Sequence, residues 1–453
     1  MSDFRKFFKN KKVTVMGLGL LGKRLGDIAF LAECGTKVLV TDLKPSTALR
    51  PSLQKLRKYK NIEYVLGEHR LKDFENCDFI LKGQGVALDS PYIAHARQQG
   101  IPIEMDESLF IKLAPRVKII GVTGTRGKST TTVLIYEILK QAFDNPSKKL
   151  GIKNPKVFLG GNIRNTAALP LLKKVKDGDF VVFELSSWQL QGLGEAKISP
   201  HISVFTNFMP DHLNYYKNDL KQYFSDKAFI YKFQKRRDIL VLGPNMKNFA
   251  RKANGKIINA SVKNIPKNWK IKLKGEHNLE NIACALTVAR VLGVSELITR
   301  KVVESFKAIP GRLELVKNIK GVDIYNDTNS CAPEATSAAL RALGAENKNI
   351  ILIMGGSDKN LDFNDLFKDI SKYIRVLVLI RSAGINRIMP GLKKIKSLVI
   401  YQEKNFKKIV LKARSLAKTG DIILFSPAFA SFGMFNNEYD RGDKFMKIVK
   451  SLK

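Results

Sequence analysis

Acidic residues are scarce in this chain. Its 453 residues include 78 Lys and Arg but only 41 Asp and Glu, which leaves a formal net charge of +37. Such a charge attracts polyanions, so nucleic-acid binding has to be considered. The basic residues are nevertheless spread along the whole chain, which favours a solvated basic surface and anionic small-molecule ligands. We therefore expect no nucleic-acid partner.

Cysteine is also sparse, with four residues and no CxxC pair. This spacing gives no support to a zinc site or a disulfide framework and favours a reducing compartment. The first residues lack the apolar stretch of a signal peptide, and no run of about 18 apolar residues occurs. We expect a cytoplasmic protein that does not span a membrane.

The composition is otherwise that of an ordinary globular protein, with 44% hydrophobic and 26% charged residues. Collagen-like, disulfide-stapled and wholly disordered chains are excluded. At roughly 150 residues per domain, the length predicts about three domains.

The chain opens with a βαβ pattern. An apolar run at 13–16 is followed by Gly-Leu-Gly-Leu-Leu-Gly at 17–22, and a second apolar run at 37–41 ends at Asp42. This spacing is typical of a turn that binds a dinucleotide or a nucleotide sugar at a helix N-terminus. The same glycines also suit a tight turn without a ligand, and that alternative stays open.

A second unit carries the stronger motif. The apolar run at 117–122 leads into Gly-Thr-Arg-Gly-Lys-Ser at 124–129. Backbone N–H groups of such a loop bind phosphates, the lysine reaches the β and γ oxygens, and the following hydroxyl binds Mg²⁺. The loop is not a strict Walker A motif, because Val122 stands where that motif has glycine. An NAD-dependent oxidoreductase would leave this loop without a role, whereas a nucleic-acid-stimulated ATPase remains a distant alternative.

Polar residues follow two further apolar runs of the same unit. Glu184 lies at the end of the run at 180–185, and His212 follows the run at 201–206. Open α/β sheets bind ligands at the carboxyl ends of their strands. The pair therefore predicts a metal site beside the phosphate loop, although either residue taken singly also suits a hydrogen-bonded polar position.

A third unit starts after Pro310-Gly311. The pattern predicts strands at 322–325 and 349–354 and a helix at 333–343, with two later strands continuing the alternation. Successive strand–helix units predict an α/β fold with parallel sheets. We expect a Rossmann-like N-terminal domain, a central P-loop ATP-binding domain and a Rossmann-like C-terminal domain, with boundaries at 1–113, 114–309 and 310–453.

The loop at 121–130 resembles the ATP loop of the Mur ligases, the amide-forming enzymes of peptidoglycan precursor synthesis. Further motifs stand in that family's order at 160–163, 184–190, 211–213, 275–281, 426–431 and 441–443. The resemblance implies that ATP phosphorylates the carboxylate of UDP-N-acetylmuramoyl-L-alanine and that the amine of D-glutamate captures the acyl phosphate. A sister ligase that adds another amino acid is the nearer alternative.

The resemblance also implies site residues and a monomer that acts on small molecules. Implied catalytic residues are Lys128, Glu184, His212 and a carbamylated Lys227, and the implied Mg²⁺ ligands are Ser129, Glu184 and His212. Implied ATP contacts are Gly124, Thr125, Arg126, Gly127, Lys128, Ser129, Thr130, Asn281, Arg312 and Asp327. Gly19, Leu20, Asp42, Asn162, Ser186 and Gln189 would contact the UDP substrate, and Lys359 and Ser431 the amino acid.

The chain departs from the family pattern at several positions. Arg126 replaces the usual asparagine, and residues 82–85 replace a Ser-Pro-Gly turn. Asn329 stands where lysine is usual, Cys331 where threonine is usual, and Glu438 near an aromatic position. The last three leave the identity of the amino acid open.

Overall fold

Three β-sheets with associated helices make up the structure, a computed structural model, and confirm the predicted α/β class. The chain forms two compact units, one of residues 1–269 and 280–303 and one of residues 270–279 and 304–453. In the described part of the chain, no helix is both long and apolar enough to cross a membrane. The described residues are 4–19, 23–87, 89–144, 155–164, 166–213, 215–247, 249, 253–344, 348–396, 398–431 and 433–452.

The first sheet has five parallel strands. The elements around it are α1 (Phe4–Phe8), β1 (Lys12–Met16), α2 (Lys23–Glu33), β2 (Lys37–Asp42), α3 (Ser46–Leu56), β3 (Ile62–Leu66), β4 (Phe79–Lys82), α4 (Pro91–Gln98), β5 (Ile103–Glu104) and α5 (Asp106–Leu113). The strand order is β3-β2-β1-β4-β5. This is a Rossmann-type order, in which ligands bind where the order reverses, here between β1 and β4.

The second sheet has six parallel strands. Its elements, and the helices that follow, are β6 (Lys118–Thr123), α6 (Lys128–Phe143), β7 (Val157–Gly161), β8 (Phe180–Glu184), α7 (Ser187–Glu195), β9 (Ile202–Phe205), α8 (Leu220–Lys232), β10 (Ile239–Leu242), β11 (Lys256–Asn259), α9 (Glu276–Val291) and α10 (Glu296–Ser305). The strand order is β11-β10-β9-β6-β8-β7. Because β6 lies between β9 and β8, the segments that follow these three strands meet at one edge.

The first two sheets share one hydrophobic core. The ring of Phe110 on α5 packs edge-on against Phe183 on β8, with 5.4 Å between centroids. Asp27 on α2 accepts a hydrogen bond from the backbone N–H of Leu169 at 3.1 Å. The predicted boundary at residue 113 therefore lies inside one compact unit.

The third sheet forms the core of the second unit. Its elements are β12 (Glu314–Ile319), β13 (Val322–Asn326), α11 (Pro333–Leu343), β14 (Ile350–Met354), α12 (Asn364–Tyr373), β15 (Ile374–Ile380), α13 (Ala383–Lys393), β16 (Val399–Glu403), α14 (Phe406–Leu416), β17 (Ile422–Phe425) and α15 (Glu438–Ser451). The strand order is β12-β13-β17-β14-β15-β16. Among the described residues of this sheet, β12 and β13 pair antiparallel and the other strand pairs are parallel. Lys320 and Gly321 join these two strands at φ 52° and 75°, as tight hairpin turns require.

Candidate active site

The loop at 124–129 joins β6 to α6 and is shaped by its two glycines. Gly124 has φ 148°, and a Cβ there would lie 1.9 Å from Thr206 Oγ1. Gly127 has φ 78°, and a Cβ there would lie 2.1 Å from Asn281 Oδ1. Both positions therefore require glycine on conformational and steric grounds.

The segment after β9 holds the loop in place. The backbone N–H of Thr125 donates to the carbonyl of Asn207 at 2.9 Å. The N–H of Arg126 donates to Asn207 Oδ1 at 2.8 Å, and Thr206 Oγ1 donates to the carbonyl of Arg126 at 2.6 Å. The segment after β9 thus holds the backbone of the loop through three hydrogen bonds. Sequence reasoning did not identify Thr206 and Asn207, although their position directly after a buried strand was the available signal.

Two lysines converge on the same loop carbonyl. Lys128 Nζ donates to the carbonyls of Gly124 and Thr125 at 3.0 Å each, and Lys227 Nζ donates to that of Gly124 at 2.8 Å. Lys227 lies on α8, 2% exposed, with its ammonium 4.9 Å from the ring centroid of Tyr223. The structure thus brings Lys227 into contact with Gly124, which lies 103 positions earlier in the chain.

Burial lowers the pKa of Lys227 well below its ordinary value of 10.5, and the charges of Lys128 and Arg126 lower it further, against the opposing effect of Asp211. An amine in such surroundings is more easily neutral. Its neighbour Asp226 is also buried and accepts hydrogen bonds from Gln191, Tyr216 and Gln222.

Glu184 ends β8 beside the loop and is 2% exposed. Its Oε1 accepts a hydrogen bond from Asn162 Nδ2 at 3.2 Å. Its buried Oε2 has no hydrogen-bond partner among the described residues. Burying a carboxylate oxygen without a hydrogen bond costs free energy. A hydrogen-bond donor or a cation bound at this oxygen would offset that cost.

Ser129 and His212 lie on the two segments that follow β6 and β9. Ser129 is in the first turn of α6 and is buried. His212 has φ 53°, and its ring centroid lies 4.8 Å from that of Trp188. Its Nε2 lies 3.6 Å from Asp211 Oδ2. Where side chains are described, the structure contains no cluster of three or more His, Cys, Asp or Glu residues that could hold a metal. A metal ion at this site would therefore also need oxygen ligands from a hydroxyl group such as that of Ser129 and from a bound substrate.

Asn281 on α9 contacts the start of α6. It is 4% exposed, and its Oδ1 accepts a hydrogen bond from Thr131 Oγ1 at 3.3 Å. Together with the close approach to Gly127, this contact places Asn281, a predicted ATP contact, beside the phosphate loop. Thr130, also predicted as an ATP contact, is buried in the first turn of α6.

Asp42 at the end of β2 braces the first glycine turn. Its Oδ2 accepts hydrogen bonds from the N–H groups of Leu18 and Gly19 at 2.9 and 3.2 Å, and its Oδ1 accepts one from Lys44 at 2.9 Å. The carboxylate predicted to contact the UDP substrate is thus bound to its own chain. Leu20, predicted beside it, lies outside the described residues.

Ser186 and Gln189 form a reciprocal cap at the start of α7. Gln189 Oε1 accepts from the Ser186 N–H and hydroxyl at 2.9 Å each, and Gln189 N–H donates to Ser186 Oγ at 3.3 Å. The fully buried Gln189 also donates to Glu107 Oε1 at 2.5 Å. Both predicted substrate contacts therefore stabilise the helix start.

The second unit carries the remaining predicted residues. Asp327 follows β13 and accepts hydrogen bonds from Ser426 Oγ at 2.8 Å and from the Leu313 N–H at 3.0 Å. Burial raises its pKa to about 6. Arg312, the other predicted ATP contact of this unit, is half-buried and precedes Leu313.

Lys359 and Ser431 lie on neighbouring loops of the same unit. Ser357 and Ala430 exchange backbone hydrogen bonds of 2.9 and 3.2 Å, which tie the loop after β14 to the loop after β17. Ser431 is 4% exposed and Lys359 is half-buried. The structure thus brings together the two loops that carry the predicted amino-acid contacts.

Arg441 on α15 braces these loops and is fully buried. It donates to Thr328 O at 2.7 Å, to Phe429 O at 3.0 Å and to Cys331 Sγ at 3.1 Å. Sequence reasoning noted the Arg-Gly-Asp motif but assigned Arg441 no role. Cys331, one of the departures from the family pattern, lies directly against this guanidinium.

Three family models match successive parts of the chain. They are the Mur ligase MurD-like N-terminal domain at 11–104, the Mur ligase middle domain at 122–265, and the Mur ligase glutamate ligase domain at 311–429. A UDP-N-acetylmuramoylalanine--D-glutamate ligase of Roseiflexus sp. is 35% identical over 98% of this chain and 99% of its own length. A ligase of the same name from Borreliella burgdorferi is also 35% identical, over 98% of each chain.

The chain belongs to the Mur ligase family. This confirms the family that the sequence motifs predicted, and the matched models follow the predicted order of three domains. Solved structures share the fold. The UDP-N-acetylmuramate-alanine ligase MurC of Thermotoga maritima has a TM-score of 0.62 at 20% identity, covering 98% of this chain and all of that one. The MurF ligase of the same organism, solved in complex with ADP, has a TM-score of 0.60 at 19% identity, covering 99% and 98%.

Proposed function

We propose that this Mur ligase joins D-glutamate to UDP-N-acetylmuramoyl-L-alanine at the expense of ATP. The full-length relatives at 35% identity carry the name of that activity. The structural observation that carries the proposal is the convergence of Lys128 and the buried Lys227 on one phosphate-type loop, with Glu184 at the adjoining strand end.

The proposed chemistry requires activation of a carboxylate. A carboxylate is a poor electrophile until one oxygen becomes part of a phosphate leaving group. ATP would transfer its terminal phosphoryl to that oxygen, and the amine of D-glutamate would displace phosphate to form the amide. In phosphoryl transfer the protein mainly positions groups and stabilises charge, and Lys128 with the backbone N–H groups at the start of α6 would supply both functions.

We propose Ser129, Glu184 and His212 as residues that hold Mg²⁺ in this reaction. The buried Glu184 Oε2, which has no hydrogen-bond partner among the described residues, and the Ser129 hydroxyl are oxygen donors of the kind that Mg²⁺ prefers. A bound Mg²⁺ neutralises part of the charge on the phosphates.

Lys227 is proposed to act as a carbamate. A carbamylated amine is carboxylate-like, so it would replace a buried cation with an anion able to brace Mg²⁺. The neighbouring cations Lys128 and Arg126 and the lowered pKa of the amine both favour this change. The neutral amine would add CO₂ and lose one proton, and the carbamate nitrogen keeps one N–H that can still donate to the Gly124 carbonyl.

The remaining site roles and the domain boundaries are part of the same proposal. The two loops that meet at Ser357 and Ala430 would bind the incoming amino acid through Lys359 and Ser431, and Asn281, Arg312 and Asp327 would contact ATP. The residues proposed to contact the UDP substrate are Gly19, Leu20, Asp42, Asn162, Ser186 and Gln189. We place a monomeric enzyme in the cytoplasm, with domains at 1–113, 114–309 and 310–453.

One assay tests the function. Purified protein is incubated with ATP, Mg²⁺, UDP-N-acetylmuramoyl-L-alanine and a panel of D- and L-amino acids, and phosphate release and product mass are measured. We expect product only with D-glutamate. Product with a different amino acid would identify a sister ligase. Asn329 and Cys331 would then be the first residues to examine as the cause of the changed amino-acid specificity. Absence of phosphate release with every amino acid would refute the ligase assignment.

A further inference from the structure

Arg126 is bound to an acid of the neighbouring segment. Its Nη1 donates to Asp211 Oδ2 at 2.6 Å, and the same nitrogen lies 3.4 Å from the carbonyl of Thr125. The Asp211 side chain is 5% exposed and that of Arg126 28%, so the acid is the more buried partner. Asp211 also accepts the His212 N–H through its other oxygen at 2.8 Å.

The charges around this pair are mainly positive. Burial and the charges of Lys128 and Arg126 lower the pKa of Lys227, whereas Asp211 and Asp226 raise it, so all four charged groups act on one small region. Asp226 is already bound to three uncharged donors. Asp211 is therefore the acid that pairs directly with the Arg126 guanidinium in this structure.

We propose that Arg126 exchanges Asp211 for the terminal phosphate of bound ATP, so that Asp211 acts as an internal competitor for the guanidinium. This inference rests on the proposed function. Arg126 belongs to a loop whose backbone is held in a phosphate-binding shape, and its side chain points towards the segment that carries His212. The guanidinium can bind phosphate through two parallel hydrogen bonds, and a terminal phosphate carries more charge than one carboxylate.

The exchange predicts nucleotide preference. ADP lacks the terminal phosphate, so Arg126 would remain with Asp211 when ADP is bound. ATP would recruit the guanidinium and leave Asp211 bonded to the His212 N–H. Arg126 would therefore add affinity for ATP over ADP, a contribution that an uncharged asparagine at this position could not make.

Equilibrium binding of AMPPNP and ADP at fixed Mg²⁺ tests the exchange with Arg126→Gln and Asp211→Asn. For Arg126→Gln we expect AMPPNP to bind at least about tenfold more weakly, because one charge-assisted hydrogen bond is lost, while ADP binding changes less than about twofold. For Asp211→Asn we expect tighter AMPPNP binding, because the competing anion is removed while an acceptor for the His212 N–H remains. Arg126→Lys keeps the charge and should restore part of the loss.

Arg116→Gln is the matched control, because it removes another arginine–aspartate pair, the 2.9 Å contact with Asp177 near the start of β6. It should leave both affinities unchanged, which excludes a general effect of net charge. Two results would overturn the proposal and identify the pair as structural. In the first, Arg126→Gln weakens the binding of AMPPNP and ADP equally. In the second, both Arg126→Gln and Asp211→Asn weaken the binding of AMPPNP. If the unaltered protein bound neither nucleotide, the proposed function itself would fail, and this result is distinct from the other two.

Discussion

Replacing Asp327 by asparagine tests the energetic cost of an ionised carboxylate inside the second unit. Burial is the largest effect on this group, and it raises the pKa from 3.8 to about 6 despite hydrogen bonds from Ser330, Ser426 and the Leu313 N–H. The folded unit therefore holds the proton more tightly than the unfolded chain does. Stability from this group is greatest at low pH and is lost as the pH rises from about 4 through about 6.

The magnitude follows from the difference between the two pKa values. One pKa unit corresponds to about 1.4 kcal/mol, so full ionisation of Asp327 destabilises the folded unit by roughly 3 kcal/mol. At pH 5 the destabilisation is roughly half of that, because the folded unit is still mostly protonated. Between pH 5 and pH 8 we expect the wild-type protein to lose about 1 to 2 kcal/mol relative to Asp327→Asn.

Urea unfolding of the full chain at several pH values measures this difference. Hydrogen exchange of peptides covering β13 reports unfolding of the second unit separately. Asp323→Asn, at a less buried position on the preceding strand β13, is the control for loss of one negative charge. A difference between wild type and Asp327→Asn that stays constant from pH 5 to pH 8, or that grows in favour of the wild type, would refute the assigned cost of burial.

Three further predictions concern the loop and its lysines. Lys128→Ala should abolish phosphate release, measured by a coupled assay, while calorimetry still detects binding of the UDP substrate. Loss of both phosphate release and substrate binding would contradict separate sites for ATP and the UDP substrate. Lys227→Ala should be inactive and regain turnover when short-chain carboxylic acids are added, and full activity without them would exclude the carbamate role. Gly127→Ala should lower the unfolding free energy by at least about 1 to 2 kcal/mol, because φ 78° is left-handed and the new Cβ would meet Asn281 Oδ1. It should also raise the KM for ATP, and an unchanged KM with unchanged stability would contradict both arguments.

The parallel strands at the centres of the sheets were predictable from their apolar runs. The runs at 13–16, 37–41 and 180–185 agree with β1, β2 and β8 to within one residue at each end, because strands buried on both faces have to be largely apolar. Several other strands were not predicted. β12 and β11 are edge strands with mixed polar and apolar residues, and half or more of each is not buried. Burial does not constrain their composition in the same way, so the sequence pattern is weak.

The phosphate loop could also be recognised locally, because its glycines, lysine and serine are contiguous. The same was not true of Asp42. Its spacing suggested a ligand contact, whereas the structure shows it accepting three backbone N–H groups of its own turns. These hydrogen bonds depend on where the surrounding N–H groups lie in the fold, which the spacing does not give, and the contact of Asp42 with the UDP substrate stays a prediction.

The sequence by itself determined the α/β alternation, the order of the motifs and the family, because these depend on residue types at short separations. The tertiary structure decided which distant side chains meet. The strand order β9-β6-β8 brings Thr206 and Asn207 to one side of the phosphate loop and Glu184 to the other, while α8 carries Lys227 onto the Gly124 carbonyl. These contacts depend on the pairing of distant strands and on burial, and neither can be predicted from the pattern of residues within a short segment.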